Sequence, residues 1–190
     1  MDAIRSFIAL ELTPEIKSTA LKLSDRLRKA GAEVRWVEDE QMHITLNFLG
    51  DVPSVAIPAV CEAMARAAGA MPAFDMVVRG AGAFPRNDRP RTIWLGVEEG
   101  SEELIELQRA VGMELDKIGI YTDRKKFRPH ITLGRVRGGK SMEALAELLE
   151  ANADFSAAAM QVAEIVMISS FLERRGPIYD VMGRADLGEE

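Results

Sequence analysis

The chain has 190 residues, 47% of them apolar and 28% charged, with a formal net charge of −6. That is enough for a well-buried core in one domain or two intimate lobes, and the acidic balance speaks against a general nucleic-acid coat protein. No apolar run approaches the roughly 20 residues that span a bilayer, so no membrane partner is expected. Met1-Asp2-Ala3-Ile4-Arg5 lacks the basic start and long apolar run of a signal peptide. Cys61 is the only cysteine, so no disulfide can form within the chain and a reducing, cytoplasmic setting fits.

In chain order, Ile4 to Leu10 reads as a strand. Thr13 caps a helix with Pro14 at its first position; Ile16, Ala20, Leu23 and Leu27 recur on one face and Gly31 ends it. Val34 to Val37 is a short strand, Glu38-Asp39-Glu40 a polar turn, and His43-Ile44-Thr45-Leu46 opens a strand that breaks at Gly50-Asp51. Ser54 caps a second helix whose apolar face uses Ile57, Val60, Cys61 and Met64, with Cys61 read as a packing residue. Phe74 to Val78 is a strand, Gly80-Ala81-Gly82 a bend or bulge, Pro85 to Pro90 a polar, basic loop, and Arg91 to Val97 another strand. Ser101 opens a third helix with Leu104, Leu107, Val111 and Leu115 inward, ended by Gly119. His130-Ile131-Thr132-Leu133 then repeats the earlier tetrapeptide. Ser141 opens a fourth helix using Leu145, Leu148 and Leu149, and strands follow at Phe155 to Val162, Ile165 to Phe171 and Ile178 to Met182.

This order lacks strict βαβ alternation and predicts an α+β fold with antiparallel sheets. No linker divides the chain, so residues 1–190 read as a single domain. The duplicated tetrapeptide suggests two similar halves about a pseudo-two-fold axis, with the lobe joined by each terminal strand left open.

The two tetrapeptides contain the only two histidines of the protein. On average composition a histidine is followed by Ile-Thr-Leu roughly once in a few thousand cases. In a strand, His43 and Thr45 share one face while Ile44 and Leu46 point into a core, and His130, Thr132, Ile131 and Leu133 do the same. Arg124, Lys125, Lys126, Arg128, Arg135, Arg137 and Lys140 crowd around the second copy, and Arg86, Arg89 and Arg91 form another basic group. Acidic residues lie elsewhere, so the first cluster points to an anionic ligand despite the net charge.

Familiar alternatives fall away. There is no Gly-x-x-x-x-Gly-Lys-Ser/Thr loop, and Gly80-Ala81-Gly82 lacks the third glycine of a dinucleotide fingerprint. A histidine with a hydroxyl two residues on is a poor metal ligand set without carboxylate or cysteine, so no metal is expected. Paired imidazoles suit phosphodiester cleavage: one, neutral, takes a proton from the attacking oxygen, and the other, protonated, gives one to the leaving oxygen. Thr45 and Thr132 can donate to the non-bridging phosphate oxygens, and Arg128 or Arg135 can add charge-assisted donors. Arg135 falls on the face opposite His130 unless the strand bends or bulges after Gly134.

The two His-x-Thr-x motifs resemble the signature of the 2H phosphoesterase superfamily. Further stretches resemble its RNA 2′,3′-cyclic phosphodiesterase branch, once described as 2′-5′ RNA ligase. They are Arg5-Ser6-Phe7-Ile8-Ala9-Leu10, Trp36-Val37, His43 through Gly50, Gly82-Ala83-Phe84-Pro85, Pro90-Arg91, Trp94-Leu95-Gly96, Phe127 through Arg135 and Gly176-Pro177-Ile178-Tyr179. The resemblance covers nearly the whole chain. It implies a bilobal fold, two pseudo-symmetric lobes each with an antiparallel sheet lining a central cleft and helices outside. It implies His43 as proton donor and His130 as proton acceptor, acting on RNA 3′ ends or small cyclic nucleotides to give the 2′-phosphate, with 2′-5′ ligation as the reverse activity. No metal or nucleotide cofactor is implied, and nothing in the sequence demands more than a monomer. The cations near His130 would lower its proton affinity if they lie close in space, while His43 follows an acidic turn. Two alternatives stay open: a non-catalytic RNA-end or nucleotide-binding module, and the same chemistry on an ADP-ribose cyclic phosphate. Phe48, Phe84 and Trp94 are candidates for base stacking.

Overall fold

In the computed structural model, which describes residues 2–122, 126–173 and 176–188, the run Phe7-Ile8-Ala9-Leu10 forms the middle of β1 (Ala3–Glu11). β3 (His43–Pro53) pairs on one side of it and β8 (Glu164–Glu173) on the other. Its burial is continuous because both faces are covered. Ile8 and Leu10 join the main core, while Phe7 and Ala9 join a smaller cluster with Val166, Ile168 and Tyr179. β9 (Gly176–Asp186) completes the first sheet, ordered β3-β1-β8-β9. The second sheet comprises β2 (Glu33–Trp36), β4 (Phe74–Arg86), β5 (Arg89–Val97), β6 (His130–Gly138) and β7 (Ser156–Val162), ordered β2-β6-β5-β4-β7. All pairings within the two sheets are antiparallel.

Four helices lie among the described residues. In α1 (Pro14–Arg28), Thr13 Oγ1 accepts a hydrogen bond from the Ile16 amide at 3.4 Å, and Ile16, Ala20, Leu23 and Leu27 are buried. α3 (Ser101–Lys117) buries the four residues its spacing marks, Leu104, Leu107, Val111 and Leu115. α2 (Ile57–Gly69) buries Val60 and Met64, with Cys61 half-buried and its thiol 3.9 Å from Met167 Sδ. α4 (Met142–Ala151) buries Leu145 and Leu149. No described helix is long and apolar enough to cross a membrane.

The connections cross between the sheets. α1 leaves β1 of the first sheet and packs on β6 and β7 of the second, whereas α3 leaves β5 of the second sheet and packs on β3 of the first. α2 covers β8 and β9, and α4 covers β4 and β5. Each sheet is thus backed by one helix from the first half of the chain and one from the second. The C-terminal β8 and β9 return to the N-terminal sheet, and β2 forms an edge of the other. The main buried cluster draws on both sheets and all four helices.

Three local expectations change. The strand opened by His43 does not break at Gly50-Asp51 but runs on to Pro53. Ser54 does not cap α2: Ser54–Ala56 is a 3₁₀ turn, the cap position is Ala56, and no side chain bonds there. A helix starting at Ser54 would drive the Pro58 ring into the Ser54 carbonyl, so the α-helix starts where Pro58 falls in its first turn. Nor is Pro85 to Pro90 a loop. β4 and β5 continue to an Arg86↔Arg89 pair around a two-residue Asn87-Asp88 turn, and Asn87 Oδ1 accepts from the Ala83 amide at 2.9 Å. Pro85 and Pro90 oppose one another in the ladder, so both missing N–H groups fall on one rung.

Candidate active site

Both tetrapeptides begin strands, and both strands carry an irregularity at the same residue. β1 pairs Ala9 with Thr45 but Ile8 with Asn47, leaving Leu46 as the extra residue. β5 pairs Trp94 with Thr132 but Ile93 with Gly134, leaving Leu133 as the extra residue. A bulge of this kind shifts the side chains that directly follow it to the other face. Arg135 therefore comes onto the face of His130 and Thr132, through a bulge at Leu133 rather than one after Gly134. In the first copy the same shift brings out Phe48, 63% exposed, at the corresponding place. Asn47 is turned inward, where its amide donates to the Gln108 carbonyl of α3 at 3.3 Å.

β3 and β6 lie against one another, and between the sheets runs a cleft of about 920 Å³. His43, Thr45, His130, Thr132, Arg128 and Arg135 all line it. Each imidazole is anchored from behind in the same way. His43 Nδ1 lies 2.8 Å from the Gln41 carbonyl, and His130 Nδ1 lies 2.6 Å from the Arg128 carbonyl. A carbonyl only accepts, so both Nδ1 atoms carry hydrogen and both Nε2 atoms are left for the cleft. His43 Nε2 is 2.9 Å from Thr45 Oγ1, so in the neutral state the hydroxyl donates to it. His130 Nε2 has no such partner among the described residues. Aromatic edges fix the ring planes: Tyr179 stands at 86° to His43 with centroids 5.4 Å apart, and Phe84 at 84° to His130 with centroids 5.0 Å apart.

The charge states differ from what local sequence suggests. His43 is lowered to about 4, by burial first and then by the charges of His130 and Lys17, against the hydrogen bond to Gln41 that favours its charged form. His130 is also lowered, by burial first and then by the Arg135 guanidinium. The cations near the second copy do act on His130, but the larger depression belongs to His43. Glu38, Asp39 and Glu40 are exposed and are not among the groups that shift it. Burial outweighs them because desolvation penalises the imidazolium more than distant, solvated carboxylates favour it.

Arg5, Arg35 and Lys126 also line the cleft, and no aspartate or glutamate does among the described residues. Arg5 and Arg35 escape a reading of the sequence because they come from β1 and β2, strands that carry neither tetrapeptide. The available signal was an arginine alternating with apolar residues inside a short strand. Within the basic cluster of the second copy, Arg124 and Lys125 lie outside the described residues, and Arg137 and Lys140 do not reach the cleft. The other basic group sits on the β4–β5 hairpin, where Arg86 pairs with Asp88 at 2.8 Å. Of the aromatic candidates, Phe84 packs between His130 and Trp94. Trp94 covers Gly82, whose added Cβ would fall 2.3 Å from the indole. Phe48 alone offers an exposed face. No three His, Cys, Asp or Glu side chains gather as a metal site among the described residues.

Two anchored imidazoles facing a cation-lined cleft between antiparallel sheets define a protein built to handle phosphate esters. Residues 10–94 and 95–179 each match the family described as LigT like Phosphoesterase, and the chain belongs to that family. Relatives named RNA 2′,3′-cyclic phosphodiesterase include a Thermotoga maritima protein, 37% identical across 94% of this chain and 93% of its own. Another, from Aeropyrum pernix, is 36% identical across 85% of this chain and 90% of its own. Among solved structures, a Thermus thermophilus protein superposes with a TM-score of 0.83 at 24% identity, covering 98% of this chain and all of that one. E. coli LigT complexed with NADP+ gives 0.76 at 25% identity, covering 99% and 100%.

Proposed function

We propose that the cleft hydrolyses a ribonucleoside 2′,3′-cyclic phosphate, at an RNA 3′ end or on a small nucleotide, to the 2′-phosphate. The observation that carries this reading is the matched anchoring of the two histidines, which leaves two Nε2 atoms in one cation-lined cleft. His130 Nε2 takes the proton of the attacking water as its oxygen bonds to phosphorus. The bond from phosphorus to the 3′ oxygen breaks, and His43 Nε2–H supplies the proton that oxygen needs. Thr45, Thr132 and Arg135 hold the non-bridging oxygens where negative charge accumulates. The Arg128 carbonyl orients His130, while its guanidinium lies 6.0 Å from the centre of the Phe84 ring. Arg135, by disfavouring a second positive charge on His130, supports the acceptor role there. His43, depressed in the free protein, is protonated with the arrival of the anionic substrate, so one proton is shared by the pair. Joining RNA ends through a 2′-5′ bond is the same sequence with the 5′ hydroxyl of a second strand attacking phosphorus in place of water.

His43→Ala and His130→Ala should each lower turnover of a 2′,3′-cyclic mononucleotide by about 10²-fold or more, with circular dichroism unchanged. Phosphorus NMR of the products should show the 2′-phosphate, and a chelator should leave the rate intact. Binding without turnover across RNA-derived and ADP-ribose-derived cyclic phosphates would instead indicate a binding module. Turnover of the ADP-ribose substrate alone would reassign the substrate.

A further inference from the structure

Cationic side chains in the cleft outnumber what the proposed reaction uses. A cyclic phosphodiester carries a single negative charge, yet Arg5, Arg35, Lys126, Arg128 and Arg135 all line the cleft, in a protein whose net charge is −6. None of the five has an ion-pair partner among the described residues. Arg35 and Arg135 are directly opposed across the β2–β6 ladder, an arrangement that is destabilising unless an anion lies between or above the two guanidinium groups.

Three of these arginines line the cleft together with one phenol, Tyr179. The charges of Arg135, Arg35 and Arg5 all bear on Tyr179, in that order of effect, while burial pushes it above its ordinary value, so the phenol remains a donor at neutral pH. The three arginines come from β6, β2 and β1 and thus from both sheets. Arg35 lies beside the start of β9, where Gln41 Nε2 donates to the Pro177 carbonyl at 3.0 Å. A Cβ added to Gly176 would fall 3.0 Å from Arg35 Nη2 and 2.9 Å from Gln41 Nε2, so the missing side chain leaves the guanidinium its place. Arg135 acts on both Tyr179 and His130, and the Tyr179 ring borders His43. This second group of donors therefore adjoins the histidines without coinciding with them.

We propose that Arg5, Arg35 and Tyr179 form a second anion subsite for the phosphate on the 5′ oxygen of the nucleotide whose 2′,3′ end lies between the histidines, so that the substrate is a strand end rather than a free nucleoside cyclic phosphate. This rests on the phosphoesterase reading for the placement of the 2′,3′ end. It does not depend on turnover, and the test uses binding.

Calorimetric titration of the intact protein compares adenosine 2′-phosphate, adenosine 2′,5′-bisphosphate and the dinucleotide ApA bearing a terminal 2′-phosphate. The bisphosphate and the dinucleotide should each bind about tenfold or more tightly than the monophosphate. Arg35→Gln and Arg5→Gln, both at exposed positions, should each remove most of that advantage. The salt dependence of binding should also fall by about one phosphate contact, roughly 0.7 in log–log slope for a single strand. Equal affinity for all three ligands, or an advantage untouched by both substitutions, overturns the subsite. Gain for the bisphosphate but none for the dinucleotide overturns the strand-end assignment, since the site would then take only a free terminal phosphate. A preference present in a protein that turns over no cyclic phosphate would sustain the subsite while removing the hydrolytic reading.

Discussion

At the scale of the residue, His43 shows how far surroundings move an imidazole. Its ordinary value near 6.5 falls to about 4. In that interval the unfolded chain binds a proton that the folded chain refuses. The contribution of this group to stability is therefore complete above about 6.5 and is lost as the pH falls toward about 4. An anion in the cleft opposes the effect by favouring the imidazolium, so phosphate binding should take up a proton. NMR titration of the two imidazoles with and without inorganic phosphate checks both points. The His43 midpoint should lie near 4 in the free protein and move upward with phosphate. An ordinary midpoint in the free protein would mean that burial does not hold this ring neutral.

At the scale of the element, the two bulges decide which side chains meet the ligand. Gly134, just past Leu133, faces β2, and a Cβ there would fall 2.6 Å from Val34 Cγ1 and 3.1 Å from the Trp36 ring. Gly134→Ala should therefore cost about 1–3 kcal/mol, read from urea or thermal unfolding, because a β-branched side chain and an indole cannot both step aside. Unchanged stability would show that the β2 edge yields freely. The alternation of His43 with Ile44 and of Thr45 with Leu46 was legible in the sequence, as were α1 and α3 from their apolar spacing. The bulges were not, since Leu46 and Leu133 look like any other inward residue; ladder register is a property of two strands. For the same reason Arg5 and Arg35 stayed hidden, their role being created by partners distant in sequence. The start of α2 was misread because Ser54 satisfies a local preference that Pro58 overrides.

At the scale of the whole molecule, helices α1 and α3 each leave one sheet to brace the other, and the buried cluster is continuous across both. The chain should accordingly unfold in one cooperative transition, with calorimetric and van't Hoff enthalpies in agreement. Two resolved transitions would show lobes that melt independently. The crossed helices also bear on symmetry. Two matching units that exchange helices in this way have the form of a swapped dimer, and a dimer of half-length chains would be obliged to present identical residues at both mouths of its cleft. Such a site would admit a nucleotide equally well in either direction. Joined in one chain, the units keep their mutual bracing but are released from that identity, and the corresponding positions hold Phe48 on one side and Arg135 on the other. Covalent continuity thus gives the cleft a polarity, an aromatic end and a cationic end, that a perfect two-fold axis forbids.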